Sequence, residues 1–510
     1  AGGNLRYAAA GDILVSELTA AAGDASLTAG GDILDNTALE AANVTALGLR
    51  LAAGGSVGGA NGDADDVNEQ ALDIAAANLE AVAGVDIHAQ SLNAVEVGNV
   101  GDITVSYARF DSGATDVTDL DLAGVDAGGD AKLLSAGAVT VSETFVAGGD
   151  ALIRTTAGDI TLDAGVTAGG SVTVLARDSV AQNADVTADG TVDVEAFDGS
   201  VAMADGTVSR TTAGGNIRYK AAQGADGLDN DADGLVDEAD ELPAAAALQD
   251  ITLGQLDAGA GMVSVVAGND ILDARADTVG HDAEGFAAQT GLARTENITA
   301  SAAQLNAGRN IGQGQNEGVS NPLDLSVGTL AAVAGGSLYL YESTDVTVDN
   351  VAFAGVDRIG LDSSTTAGVG AGDLSDIRAG VNAKLETVAG TLTVNEGAAN
   401  AADAAGGVVA AAGDVLLAAN GAGSDVTLGA AVEATAGSVT VLARDSVAQN
   451  ADVTAGGTID VEAFDASVAM ADGTVSRTSA GGNIRYAAAV DVTLGQLDAG
   501  AGMVSVVAGN

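Results

Sequence analysis

One stretch of this chain is written twice. Residues 170–219 read GSVTVLARDSVAQNADVTADGTVDVEAFDGSVAMADGTVSRTTAGGNIRY, and residues 437–486 read GSVTVLARDSVAQNADVTAGGTIDVEAFDASVAMADGTVSRTSAGGNIRY. Ser171 matches Ser438 and Tyr219 matches Tyr486 at one constant offset, so the copies align without a gap. Near-identity at such a distance marks duplication inside a repeat array, which constrains the fold more tightly than chain length does. A shorter period runs within it. The step from Gly170 to Gly190 is 20, Gly129, Gly137 and Gly149 step by 8 and 12, and Gly3, Gly11, Gly23 and Gly31 step by 8, 12 and 8. The unit is a coil of about 20 residues with glycines at its corners, a fixed period of the kind that marks a repeat architecture.

Between corners the residues alternate. In Thr191-Val192-Asp193-Val194-Glu195-Ala196 the apolar side chains share one face, while Asp193 and Glu195 share the other, the period-2 pattern of a strand with one buried face. Asp159-Ile160-Thr161-Leu162 and Asp250-Ile251-Thr252-Leu253 repeat it. Short strands, small corners and a fixed coil length define an all-β solenoid, which grows coil by coil without closing separate cores. Residues 1–510 are therefore expected to form one continuous β-solenoid segment; at ~4.8 Å per stacked strand, roughly 22 to 25 coils would span about 105 to 120 Å.

Composition agrees. Hydrophobic residues are 47% of the chain but aromatics only 2%, with no Trp, which suits a narrow interior of stacked Val, Ile, Leu and Ala. The two prolines, Pro243 and Pro322, leave nearly every backbone N–H free for inter-coil ladders. With 18 basic against 71 acidic residues, the net charge of −53 argues against nucleic acid or an anionic membrane as partner. The absence of cysteine removes disulfides, thiolate metal sites and a Cys nucleophile. No signal peptide opens the chain, and no apolar run reaches the ~18 residues of a membrane helix.

Along the chain, residues 1–31 repeat the GGN-(L/I)-RYAAA opening of residues 480–510, so both ends lie in one phase of the repeat, as expected of a segment of a longer protein. Gly54 to Asp66 reads as a loop; Asn68 to Val82 has helix propensity, but its L-D-I and L-E-A-V patterns favour strands. After the shared GGNIRY the copies diverge. The second continues AAAVDVTLGQLDAGAGMVSVVAGN, whereas the first reaches DITLGQLDAGAGMVSVVAGN only after an inserted segment, about Gln223 to Leu248. Because the coil path exists with and without it, this insertion is expected to project from the solenoid.

Gly308-Arg309-Asn310-Ile311-Gly312, Asn321-Pro322-Leu323 and Gly335-Gly336-Ser337-Leu338-Tyr339-Leu340, with the AGGDIL corner at 29–34 and the GDITL strands, resemble large filamentous-haemagglutinin-like exoproteins of bacteria. The resemblance implies a right-handed parallel β-helix, secreted across an outer membrane and displayed as an adhesive fibre. The amino-terminal secretion domain of such proteins is not in this sequence.

The sharpest candidate site lies in the insertion, DNDADGLVDEAD from Asp229 to Asp240. Asp229, Asp231, Asp233, Asp237 and Asp240 occupy loop positions 1, 3, 5, 9 and 12, Gly234 occupies 6, and Leu235 would offer its carbonyl, the pattern of an EF-hand-type calcium loop. Asp240 replaces the usual Glu at position 12, and Pro243 follows too closely for a long exiting helix, so a structural Ca2+ is expected rather than a sensor. Gly62 to Asp66 reads as an acidic turn, and His88 and His281 have no partner pattern. Arg6, Arg177, Arg218, Arg444 and Arg485 recur with the repeats and are expected to pair with carboxylates of neighbouring coils; Tyr7, Tyr219 and Tyr486 are expected to cap the interior at a corner. The functional expectation is a non-catalytic structural or adhesive shaft of an extracellular bacterial surface fibre, partnered by a cell-surface receptor or glycan, or by copies of itself. The alternatives are a self-associating sheath, surface layer or matrix filament with calcium-bridged rods, and a polysaccharide-processing β-helix, for which carboxylate pairs are available but bases and aromatics are few.

Overall fold

The computed structural model describes residues 3–37, 41–59, 70–221, 249–289, 294–314, 320–397, 407–410 and 412–509. Among them there is no helix, and the strands stack in parallel as a β-helix. The chain divides into two compact units, residues 1–247 with 355–369, and residues 248–354 with 370–510.

In the first unit each regular coil has three strands, one of five residues and two of three. Val172–Ala176, Val180–Gln182 and Val186–Ala188 make one coil. The next places Val192 over Val172, Val201 over Val180 and Ser209 over Val186. The five-residue strands stack in register through Ala131, Ala151, Val172, Val192 and Ile217, one coil per step. Inward side chains such as Val172, Val174, Val192 and Val194 are buried on their own kind. Leu72–Ala83 is a strand, so burial of its apolar residues against Val44–Ala53 overrides its helix propensity.

Stacking explains the corner glycines. A methyl group on Gly148 would run into the carbonyl oxygen of Gly128, and one on Gly169 into that of Gly148. The acidic residue after the corner has an equally definite role. Asp130 Oδ1 accepts the backbone N–H of Asp150 at 3.0 Å, and Asp150 Oδ1 accepts that of Ser171 at 2.7 Å, one coil further on. Ser171 Oγ takes over as acceptor for Thr191 N at 3.1 Å. The G-G-(D/N/S) corner is thus a side-chain ladder that satisfies backbone donors where the strands bend.

The second unit repeats these devices. Its five-residue strands stack through Ala383, Val415, Val439, Ile459, Ile484 and Val504. Asn382 Oδ1 accepts from Asp414 N at 2.9 Å, Asp414 Oδ1 from Ser438 N at 2.8 Å, and Ser438 Oγ from Thr458 N at 3.1 Å. Tyr219 and Tyr486 lie inside the coils instead of capping a corner. Each is fully buried, with its hydroxyl 2.6 Å from Gln182 or Gln449 and within hydrogen-bond distance of Ser209 or Ser476. Tyr7, in contrast, is exposed.

Antiparallel hairpins interrupt the coils. Ile103–Ala108 with Ala114–Asp119 lies over the amino-terminal strands, where Asp119 accepts from Arg6 Nε at 2.8 Å and Ser26 Oγ at 2.6 Å. Val356–Ile359 with Thr365–Val369 belongs to the first unit, and Val279–His281 with Ala287–Gln289 to the second.

Candidate functional site: outward ladders and their charged centres

The residues expected to bind calcium, Asp229, Asp231, Asp233, Leu235, Asp237 and Asp240, lie outside the described residues, as does the whole insertion from 223 to 248. What the structure assembles instead stands on the outer face of the five-residue strands.

In the first unit the register aligns Lys132, Leu152, Thr173, Asp193 and Arg218 in one outward column, with Leu134, Arg154, Leu175, Glu195 and Lys220 beside it. The alternation puts Asp193 and Glu195 on the outer face as expected, yet they are only 0% and 1% exposed. The hairpin of residues 356–369 covers them. Arg358 Nε donates to Asp193 Oδ2 at 2.7 Å and its terminal nitrogen pairs with Glu195. Arg218 bridges the same two carboxylates at 2.6 and 2.9 Å, and Lys220 Nζ reaches Glu195 Oε1 at 2.6 Å. Around this centre Ile359 and Leu361 pack on Leu134 and Leu152. Ile359 N donates to Thr173 Oγ1 at 3.1 Å, Asp357 N to Thr191 Oγ1 at 2.9 Å, and Asn216 Nδ2 to the Gly355 carbonyl at 2.8 Å. At the far end Lys132 bonds Ser363. Burial by itself would raise the Glu195 carboxyl, but Arg218, Arg358 and Lys220 bring it down to about 2.

The second unit carries an acidic centre. Oxygens of Asp273, Asp277 and Asp324 lie within 4.8 Å of one another. Asp273 accepts from Arg275 N at 2.9 Å and Asn297 Nδ2 at 2.7 Å, and Asp324 pairs with Arg294. Asp277 is fully buried, and its oxygens have no donor among the described residues. Burial, reinforced by the neighbouring Asp277, pushes the Asp273 carboxyl up to about 7. In the first unit Glu80, Asp121 and Glu143 also converge, with Glu80 accepting from Val100 N and Leu122 N, both at 2.9 Å.

The second unit's hairpin of residues 279–289 sits on its own five-residue strands. Phe286 packs on Ala418 and Leu442 and lies 5.2 Å from the Phe464 ring; Arg444 stacks on Phe286 at 4.2 Å and pairs with Glu284 at 2.6 Å. Its duplicate Arg177 pairs with Asp198 at 2.9 Å, so identical sequence takes different partners according to the hairpin above it. Beside this hairpin is a cavity of 540 Å³, lined by His281, Tyr339, Lys384, Glu386, Asp414 and Leu416 among others.

Arg218 and Arg485 pair with carboxylates one coil back, as their recurrence predicts. Arg6 departs by pairing with Asp119 of a hairpin. Arg358 escaped the sequence reading because it belongs to no repeat. Its signal is the step from Leu338 to Ala383, more than twice the usual coil length.

The architecture defines a parallel β-helix protein with hairpins clamped on its outer sheets. Comparison with family models, curated proteins and solved structures returns no match to this chain. No helix among the described residues is long and apolar enough to cross a membrane.

Proposed function

We propose that this chain is a non-catalytic structural and adhesive shaft of a large secreted bacterial surface fibre, engaging a cell-surface receptor or glycan outside the cell. The observation that carries this reading is the corner ladder. The Asp130, Asp150 and Asp414 carboxylates, which a sugar-cleaving β-helix would gather around a substrate, each accept the backbone N–H of the next coil. Ladder, stacked glycines and small apolar interior make a stiff support on whose outer face hairpins are displayed. Calcium enters as a structural ion for the Asp229–Asp240 loop.

The test is adhesion of beads carrying the full chain to glycan arrays and bacterial or host cells, with acidic polysaccharides assayed for cleavage. Retention without release of new sugar ends is the expected result; turnover of a polysaccharide overturns the reading. The net charge of −53 favours one second reading, a sheath or matrix filament whose acidic rods are bridged by divalent cations. Lateral order in electron micrographs that dissolves with chelator would select it.

A further inference from the structure

The duplicated ladder is clamped at its carboxylate pair in one unit and half-exposed there in the other. In the second unit the register aligns Lys384, Leu416, Thr440, Asp460 and Arg485, residue type for residue type the column Lys132, Leu152, Thr173, Asp193 and Arg218 of the first. Two members of this match, Lys384 and Leu416, lie outside the duplicated sequence and emerge only from the register. Thr458 and Asn483 stand where Thr191 and Asn216 hold the first unit's hairpin.

The charge is unbalanced in a definite way. In the first unit Asp193 and Glu195 face three cations, Arg218, Lys220 and Arg358. In the second, Arg485 bridges Asp460 at 2.8 Å and Glu462 at 2.7 Å; Ala487 replaces Lys220, and among the described residues no counterpart of Arg358 reaches the pair. Exposure follows. The Asp460 and Arg485 side chains are 39% and 41% exposed, against 0% and 6% for Asp193 and Arg218. The second unit's hairpin covers the adjacent column at Ala418 and Leu442 and also packs against Leu416, leaving the Thr440, Asp460 and Arg485 end of this column half-buried. Lys384 and Leu416 also line the cavity beside that hairpin.

We propose that the Lys384–Arg485 column docks an arginine-tipped β-hairpin of another protein chain. Its arginine takes the place of Arg358 between Asp460 and Glu462, and the backbone N–H of the residue after it donates to Thr440, as that of Ile359 donates to Thr173. The argument is charge complementarity to a carboxylate pair lacking its second cation, together with an occupied site of the same residue types in the same molecule. The inference stands apart from the proposed adhesive role, since it rests on the two ladders alone.

The probe is a cyclised peptide of residues 355–369, titrated by calorimetry into the full chain, with hydrogen exchange to locate it. Saturable, salt-sensitive binding that protects residues 439–443, 459–463 and 484–488 is expected. Binding should weaken on the order of 30-fold or more in the Asp460→Asn, Glu462→Gln double variant, or when the peptide carries Arg358→Ala, the loss that follows truncation of a buried charge pair. A melting temperature unchanged in the double variant shows that folding is not the cause. Absence of binding, undiminished binding to the double variant, or protection confined to residues 172–196 overturns the proposal. Self-association of the chain abolished by the same double variant would replace the separate partner with a second copy.

Discussion

Arg358 Nε lies 2.7 Å from Asp193 Oδ2, although 165 residues separate the two in sequence. This contact pins a hairpin onto an acidic ladder whose duplicate around Asp460 has no such clamp among the described residues. Position by position the molecule contains its own comparison between a buried and a half-exposed version of one ion-pair cluster.

That comparison gives a direct stability test. Arg218→Ala removes a cation between two buried carboxylates and should cost about 3–5 kcal/mol. Arg485→Ala acts on a pair open to solvent and should cost no more than about 1 kcal/mol. Denaturant midpoints of the two variants measure the difference; equal losses would show that hairpin cover does not strengthen the first cluster.

Arg358→Ala should release the hairpin while leaving the coils standing, because Arg218 and Lys220 still neutralise Asp193 and Glu195. Faster amide exchange over residues 356–369 and new proteolytic cleavage near Gly360 to Ser364 are the expected signs. Unchanged protection there would mean that the apolar contacts of Ile359 and Leu361 suffice.

The corners offer two further pairs of variants. Gly148→Ala forces a methyl group against the Gly128 carbonyl and should cost about 1–3 kcal/mol, as overpacking does. Gly11→Ala meets nothing within 4 Å and should be neutral or stabilising by less than about 1 kcal/mol. Asp150→Asn keeps an acceptor for Ser171 N and should be mild, whereas Asp150→Ala leaves that N–H without its partner and should cost about 1–3 kcal/mol. Thermal melts of the four variants rank them.

Acidity should stabilise this protein over part of the range. Burial raises Glu342, Glu386 and Asp273 to about 7, so these groups bind more protons folded than unfolded. Their contribution is fully present below the unfolded carboxyl pKa and is lost as pH rises through 7. His88, pulled down to about 4 by burial and Lys132, opposes them at pH below 6.5, one group against three. Glu195, held at about 2, withdraws its stabilisation only as pH falls below its ordinary range toward that value. Relief of self-repulsion among −53 net charges acts in the same direction as the three raised carboxyls. Denaturant midpoints should therefore rise from neutrality toward about pH 5; a monotonic fall over that interval would contradict the assignment.

For the acidic insertion, calorimetry on the full chain should find a calcium site that disappears when Gln223 to Leu248 is deleted, with the melt of the coils unchanged. Heat of binding that survives the deletion would move the ion to carboxylates elsewhere.

The short coil period, the glycine corners and the alternating strands were legible because each depends on neighbours in sequence: the pleat sets which side chains share a face, and stacked backbones admit only glycine at positions such as Gly148. The gapless duplication likewise announced that Asp193 and Asp460, or Arg218 and Arg485, would be built alike. Sequence alone could not say that Asp193 is buried and Asp460 half-exposed, or that Arg177 and Arg444 take different partners. Those outcomes depend on where the hairpins carrying Arg358 and Phe286 fold back, which is decided by long-range packing and charge neutralisation against coils far away in the chain. Tertiary structure also aligned Lys384 and Leu416 with the duplicated residues, since register, unlike repetition, joins side chains that no shared sequence connects.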